Sequence, residues 1–100
     1  MGVGTSFAVK HREVLKEPEM YRVVLINDDY TTMDFVVKIL ELVFHKSQAE
    51  AEEIMLAVHN NGRAVVGVYT EDIARTKVSQ VHTLATASQF PLACTVELDI

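Results

Sequence analysis

Apolar residues change their spacing several times along this chain, and the order of those changes is the feature that most limits its possible folds. Three runs are rich in β-branched or alternating apolar residues, as strands are; they cover residues 21–26, 63–69 and 92–98. Between these runs, three stretches place apolar residues at intervals of three and four, which predicts amphipathic helices. The predicted order of elements is therefore β-α-α-β-α-β.

Small hydroxyl residues mark where each predicted helix begins. Thr31 is followed three residues later by Asp34, and Ser47 is followed three residues later by Glu50. This spacing predicts capping boxes, in which each of the two side chains accepts a hydrogen bond from the backbone N–H of the other residue. Thr70 is expected to cap the third helix, whose first turn then carries acidic residues that the helix dipole favours.

Charge and glycine mark where the first two predicted helices end. His45 and Lys46 close the first apolar stripe, and positive side chains are favoured near a helix C-terminus. The Asn60-Asn61-Gly62 run closes the second stripe, since glycine readily takes the left-handed conformation that ends many helices. Gly67, inside the second predicted strand, indicates a bulge or the close approach of another element.

The length and composition of the chain favour one small folded domain. Its 100 residues are 49% hydrophobic and 23% charged, which is typical of a globular protein. Residues 1–17 mix glycine, serine and charges without a period and are expected to form a flexible N-terminal tail. Residues 18–100 predict an α+β fold, a compact sandwich with one three-stranded antiparallel sheet packed by three helices and its other face toward water.

The balance of charge and the single cysteine narrow the class of partner. Residues 18–100 hold six basic and twelve acidic residues, a net charge of −6, without a stripe of Lys and Arg. Binding to nucleic acid is therefore not expected, because phosphates need clustered positive charge. No apolar run reaches the length of a membrane span. Cys94 is expected to be a buried thiol in a reducing compartment, so the cytoplasm is the expected location.

Two polar clusters are predicted to converge on one small pocket. The Asn27-Asp28-Asp29 run follows the first strand, and His59 falls in the last turn of the second helix. If the first two helices pack side by side, Met33 and Val58 wall an apolar hole beneath these polar groups. Met55 lies on the same side of the second helix as Val58 and His59. An ammonium group has three donors and no acceptor, so an amide oxygen, a carboxylate and a neutral imidazole nitrogen suit it. An N-terminal amine attached to a large hydrophobic residue fits both parts.

The joint pattern of these motifs resembles the ClpS adaptor family over about residues 17–100. The matching positions are residues 27–31, Met33, residues 55–59, Gly62, residues 67–70, Ala74, residues 76–77 and residues 91–92. The resemblance implies a fold similar to the C-terminal domain of the ribosomal stalk protein. It implies an adaptor, not an enzyme, that binds N-terminal degradation signals (N-degrons) beginning with Leu, Phe, Tyr or Trp. Such adaptors deliver substrates to the ClpA-ClpP AAA+ protease by docking on the N-terminal domain of the ClpA unfoldase.

The resemblance also implies roles for individual residues. It places the α-amino binding site at Asn27, Asp29 and His59, with Asp28 adjacent and supporting the charge. The hydrophobic pocket is assigned to Thr31, Met33, Met55, Val58 and Leu92. Met33 resembles the gatekeeper that excludes β-branched side chains. Docking of the unfoldase is assigned to Tyr30, Asp72 and Lys77, and the 1–17 tail resembles the extension that engages the unfoldase pore. The family implies no cofactor, metal or catalytic residue, and a monomer is expected.

The chain departs from the usual family pattern in three places. Thr32 stands where proline is frequent, and proline is favoured in the first helical turn, so a slightly looser start of the first helix is expected. Asp72 stands where glutamate is common, which keeps the charge and shortens its reach. The 1–17 tail is short for the family, which affects the expected delivery of substrates more than their binding.

Two other functions stay open from the residues alone. Asp28, Asp29 and His59 offer two carboxylates and an imidazole, a donor set that suits a metal-dependent hydrolase. Against this alternative, no obvious general base or nucleophile stands nearby. The second alternative is a translation-associated interaction domain like the ribosomal stalk module, which rests on analogy of fold alone.

Overall fold

Strands and helices follow one another in the order that the sequence predicts. The computed structural model describes residues 18–100, and the predicted 1–17 tail lies outside the described residues. The elements are β1 (Met20–Ile26), α1 (Met33–Leu42), α2 (Gln48–Asn61), β2 (Arg63–Thr70), α3 (Glu71–Ala87) and β3 (Ala93–Leu98). None of the helices within residues 18–100 has both the length and the apolar character that a bilayer span requires.

β1 is the central strand of one antiparallel sheet, with β2 on one side and β3 on the other. The predicted three-stranded antiparallel sheet is therefore confirmed. Residues 23–25 of β1 are completely buried, and successive residues of a strand point to opposite faces. Val24 lies on the face away from the main core, where Arg63 of β2 and Glu97 of β3 form an ion pair across the central strand.

The hydrophobic core lies between the sheet and the three helices. Its buried side chains are Val23, Leu25, Val36, Ile39, Leu40, Val43, Phe44, Ala51, Val58, Val66, Ala74, Val81, Ala85, Leu92 and Cys94. Each helix contributes its apolar stripe, so burial rather than intrinsic propensity holds these helices in place. Cys94 is buried as predicted, and this burial raises the pKa of its thiol to about 12, so the thiol stays protonated.

The start of α1 differs from the prediction by one residue. Thr32 is the N-cap, and its hydroxyl accepts a hydrogen bond from the Phe35 N–H at 3.1 Å. The hydroxyl of Thr31 instead donates to the carboxylate of Asp28, so the predicted capping box of Thr31 with Asp34 is wrong. A proline at position 32 would offer no side-chain acceptor, so the cap from Thr32 opposes the loosening expected there.

α1 ends at Leu42, and the basic residues that were predicted to close it lie beyond the helix. His45 takes a left-handed conformation with φ 55°, and neither it nor Lys46 lies in the last turn. The positive charge at this end comes from α3, where the Lys77 ammonium donates to the Val43 carbonyl at 2.6 Å. An unpaired carbonyl at a helix C-terminus attracts a cation from any nearby element. The role predicted for the two local basic residues is therefore wrong.

The starts of α2 and α3 follow the prediction to different degrees. Ser47 and Glu50 form the predicted capping box, with reciprocal hydrogen bonds of 3.2 and 3.0 Å. Thr70 is the N-cap of α3, but its side chain makes no capping hydrogen bond. Glu71 and Asp72 occupy the first turn of α3, where their charge stabilises the exposed N–H groups.

α2 ends at the predicted glycine, which also joins this helix to the sheet. Gly62 takes a left-handed conformation with φ 87°, and its N–H donates to the Val58 carbonyl at 3.0 Å. Its own carbonyl accepts a hydrogen bond of 2.9 Å from the N–H of Asn27. This second bond fastens the end of β1 to the end of α2.

β2 contains the predicted irregularity. The consecutive residues Val23 and Val24 of β1 pair with Gly67 and Val65, so β2 holds one extra residue; this is a bulge. The ring of Tyr69 lies against Gly67, and a Cβ atom there would come within 2.5 Å of the Tyr69 hydroxyl oxygen. The absence of a side chain at this glycine therefore makes room for an aromatic ring of the same strand.

Replacing Gly62 by alanine is expected to lower the free energy of unfolding by about 1 kcal/mol, because an L-side chain is strained in the left-handed region. A Cβ atom at this position would meet nothing within 4 Å, so the loss comes from backbone strain and not from a collision. Gly62→Asn is the matched control and should lose less, since asparagine tolerates this conformation better. Equilibrium urea denaturation measures both variants; equal losses would contradict the explanation.

Candidate functional site

A cavity of about 410 Å³ opens where β1 passes into α1. It lies between the 27–32 loop, the first turns of α1 and the last turns of α2. Its lining residues are Asn27, Asp28, Asp29, Tyr30, Thr31, Thr32, Met33, Val36, Met55, Val58 and His59. Of the site residues that the sequence predicts, Leu92, Asp72 and Lys77 are outside this lining.

Two backbone hydrogen bonds bring the two sides of the cavity together. The Gly62 N–H closes the last turn of α2 on Val58, and the Gly62 carbonyl accepts the Asn27 N–H. His59 lies in that same last turn, so its imidazole comes to the edge of the loop that follows β1. Residues that are 32 positions apart in the chain thus line one cavity.

Asp28 accepts three hydrogen bonds from the loop that lines the cavity, and we call this set of bonds the brace. Its Oδ1 accepts hydrogen bonds from the N–H groups of Tyr30 at 2.8 Å and Thr31 at 2.7 Å. Its Oδ2 accepts the Thr31 hydroxyl at 2.7 Å. Partial burial would by itself raise the pKa of Asp28, but the bonds from Thr31 and Tyr30 outweigh this effect and hold the pKa below its ordinary value. The carboxylate therefore stays charged and keeps its oxygens directed at the loop.

The exposed rim of the cavity carries Asn27, Asp29 and His59. The N–H groups of the loop bind Asp28 and not Asp29, which leaves the second carboxylate at the surface of the cavity. An amide oxygen, a carboxylate and a neutral imidazole nitrogen are all acceptors. The rim therefore suits a group that has several donors and a positive charge.

The base and wall of the cavity are apolar. Val58 is 2% exposed and Met55 is half-buried on α2, while Met33 stands at the mouth with 44% of its surface exposed. Val36 also lines the cavity and was missing from the predicted site. Its spacing of three residues from Met33 places the two on one helix face, so this spacing was the signal that could have revealed it. The wall therefore offers an apolar surface to a side chain held beneath the polar rim.

Leu92 is not among the residues that line this cavity, although the family resemblance assigns it to the hydrophobic pocket. It is 4% exposed and belongs to the hydrophobic core. An apolar residue just before a strand gives the same sequence signal whether it packs in the core or in a pocket wall. The structure thus gives Leu92 a role in packing.

The residues predicted for docking a partner lie in two places. Tyr30 is 77% exposed at the rim of the cavity. Asp72 and Lys77 line a separate shallow hollow of about 320 Å³ on α3, together with the exposed Ile73. Lys77 is also tied to the Val43 carbonyl and lies 6.0 Å from the ring centres of two aromatic residues. Lys77 therefore stabilises the fold as well as contributing to the surface.

A larger groove of about 730 Å³ lies between α3 and β3 and contains none of the predicted site residues. Its charged lining residue Arg75 already donates two hydrogen bonds to Glu71. No carboxylate of residues 18–100 lines this groove, so it offers a cation no negative charge. The smaller cavity is therefore the candidate site, because its chemistry rather than its volume matches a defined ligand.

The residues of the hydrolase alternative do not form a metal-binding group. Within residues 18–100, no cluster of three or more His, Cys, Asp or Glu side chains is arranged to hold a metal ion. Asp28, Asp29 and His59 therefore do not form such a cluster, and both oxygens of Asp28 already accept hydrogen bonds from the loop. The geometry gives this alternative no support.

Comparison with known proteins agrees with the resemblance seen in the sequence. The family model of the ATP-dependent Clp protease adaptor protein ClpS matches residues 16–95. The ClpS adapter protein of Acetivibrio thermocellus is 60% identical over 82 residues, which are 82% of this chain and 83% of that protein. The ClpS adapter protein of Caulobacter vibrioides is 50% identical over 98 residues, which are 98% of this chain and 90% of that protein.

A solved structure extends the agreement to the fold. Agrobacterium tumefaciens ClpS2 bound to L-phenylalaninamide superposes with a TM-score of 0.81 at 40% sequence identity. The match covers 83% of this chain and all of that one. The family model, the relatives and the fold agree, and the chain therefore belongs to the ClpS family of ATP-dependent Clp protease adaptor proteins.

Proposed function

We propose that this chain binds substrate proteins by their first residue, when that residue is Leu, Phe, Tyr or Trp, and delivers them to the ClpA-ClpP protease. The observation that carries the proposal is the cavity of about 410 Å³, in which acceptors at the rim adjoin an apolar wall. L-phenylalaninamide, with which the Agrobacterium protein was solved, has a free α-amino group beside a phenyl side chain. That ligand offers both of the groups for which this cavity has partners.

The rim would bind the α-amino group of the substrate. This group has a pKa near 8 and is mostly protonated at pH 7, so it presents three donors and a positive charge. Asn27, Asp29 and His59 supply acceptors around one spot. Each charge-assisted hydrogen bond contributes roughly 1.5–3 kcal/mol. An amide nitrogen inside a polypeptide has one donor and no charge, so the rim favours chain ends.

The apolar wall would bind the first side chain. Val36, Met55 and Val58 form its inner surface, and Met33 stands at its mouth. Full burial of a Leu or Phe side chain contributes about 1.5–3 kcal/mol. A side chain that branches at Cβ is widest close to the backbone, where Met33 narrows the entrance.

Delivery would use the outer surface of the protein. Tyr30, Asp72 and Lys77 are the proposed contacts for the N-terminal domain of a ClpA-type unfoldase, and residues 1–17 are proposed to engage its pore. The chain would act as a monomeric cytoplasmic adaptor without catalytic residues, cofactor or metal. The exposure of Tyr30 and Asp72 and the apolar surface of the neighbouring Ile73 support a docking role for this surface.

Acetylation of the substrate's α-amino group is expected to weaken binding by at least about 100-fold. The change removes the positive charge and leaves one donor of three, and two lost bonds of roughly 1.5 kcal/mol or more correspond to that factor. Fluorescence anisotropy with a short peptide beginning with Phe and labelled at its C-terminal end measures the affinity. A control peptide that begins with Gly keeps the amine but lacks the side chain, so its affinity measures the contribution of the rim alone. Retained affinity after acetylation would refute the proposed role of the rim.

Met33→Ala is expected to admit peptides that begin with Ile or Val. It removes the side chain at the mouth of the cavity, and relief of overpacking worth about 1–3 kcal/mol corresponds to a gain in affinity of roughly fivefold to 150-fold. Leu56→Ala is the matched control, since Leu56 is an exposed apolar residue that is not part of the cavity lining. Peptide panels that differ only in the first residue give the selectivity. An unchanged preference would reject the gatekeeper role.

Asp72→Asn is expected to slow delivery while leaving peptide affinity intact. Loss of an interface charge pair of about 1 kcal/mol corresponds to roughly a fivefold decrease. Asp34→Asn is the control, because Asp34 and Asp72 each hold the second position of a helix. The two substitutions make the same chemical change. The readout is degradation by ClpA and ClpP of a fluorescent protein that begins with Phe. Asp72 is preferred to Lys77 for this test, since Lys77 also binds Val43. Equal effects of the two substitutions would argue against docking through Asp72.

A further inference from the structure

We propose that Asp28 is a positioning residue, which holds the 27–32 loop in its binding conformation and does not itself contact the bound amine. This inference rests on the proposed function. It divides the two adjacent carboxylates between two tasks: Asp29 binds the ligand, and Asp28 sets where Asp29 and Met33 stand. The family resemblance instead gives Asp28 the part of supporting the charge beside Asp29.

The hydrogen bonds of Asp28 all return to the loop itself. Both oxygens are used, with the N–H groups of Tyr30 and Thr31 on Oδ1 and the Thr31 hydroxyl on Oδ2. An aspartate that accepts N–H groups two and three residues ahead closes a turn in the backbone. Short contacts of 2.7–2.8 Å are those of charge-assisted bonds. The direction of these bonds fixes the carboxylate toward the loop.

This brace connects the polar and the apolar parts of the site. On one side, Asn27 is held by its backbone bond to Gly62. On the other side, Thr32 caps α1, so Met33 begins that helix directly after the braced residues. Loss of the brace would therefore displace the amine-binding residues and the residue at the mouth together. A residue that only contributes charge to the rim would affect affinity without changing selectivity between first side chains.

Four substitutions separate the positioning role from direct binding of the amine. Asp28→Asn removes the charge but keeps a side-chain oxygen for the two N–H groups and an amide that can donate to the Thr31 hydroxyl oxygen. Asp29→Asn makes the same chemical change one residue later. Asp28→Ala removes the brace altogether. Thr31→Val removes only the hydroxyl bond and keeps the shape of the side chain.

The experiment measures the affinity of each variant for peptides that begin with Phe and with Ile. Asp29→Asn is expected to weaken Phe binding by about tenfold or more, whereas Asp28→Asn should lose no more than about threefold. Asp28→Ala should lose about tenfold and also reduce the ratio of Phe to Ile affinity, and Thr31→Val should reduce that ratio by a smaller factor. A partly unfolded variant has fewer active molecules but an unchanged ratio, so the ratio reports on positioning.

Three results would overturn the inference. Asp28→Asn could lose as much affinity as Asp29→Asn, which would make Asp28 a direct ligand of the amine. Asp28→Ala could keep both affinity and selectivity, which would make the brace unimportant. If Asp28→Ala does not fold, Thr31→Val decides, and an unchanged ratio there counts against positioning. Failure of the unmodified protein to bind the Phe peptide would instead refute the proposed function, and the inference with it.

Discussion

The hydrogen bond from the Asn27 N–H to the Gly62 carbonyl is the contact on which the candidate site depends. Gly62 turns the chain from α2 directly into β2, so the end of the helix lies beside the end of the central strand. Since β1 is buried along its middle, the loop that follows it starts from a fixed point. A different exit from α2 would take His59 away from the cavity that Asn27 and Asp29 also line.

Beyond that fixed point, the loop between β1 and α1 is ordered mainly by its own polar side chains. Asp28 satisfies the N–H groups of Tyr30 and Thr31, and Thr32 satisfies that of Phe35. Backbone N–H groups that already have partners do not need water or ligand to complete them. A loop ordered before binding loses little conformational freedom when the ligand arrives, so more of the contact energy remains as affinity.

The sequence predicts most features whose partners are close together in the chain, although it misplaces the cap of α1 by one residue. It fails more often where the partner is distant. The capping box of Ser47 and Glu50 is local, and so is the order of elements, because both follow from short spacings. The end of α1 depends on Lys77, which lies 34 residues from the carbonyl that it binds, and no spacing rule connects them. Asp28 and Leu92 are harder still. A carboxylate that binds a ligand gives the same sequence signal as one that closes a turn. An apolar residue in a pocket wall likewise gives the same signal as one in the core. Only the direction of their contacts distinguishes them.

If the cavity binds as proposed, its two halves together would discriminate a chain end from the internal residues of a protein. An internal residue with a large side chain matches the apolar wall, but its uncharged amide offers the rim a single donor. A chain end that begins with a small residue matches the rim and leaves the wall unfilled. Specificity is a difference between affinities, and each half of the site contributes only a few kcal/mol. Strong binding therefore requires both groups on one residue, which is the condition met at an N-terminus with a large hydrophobic side chain.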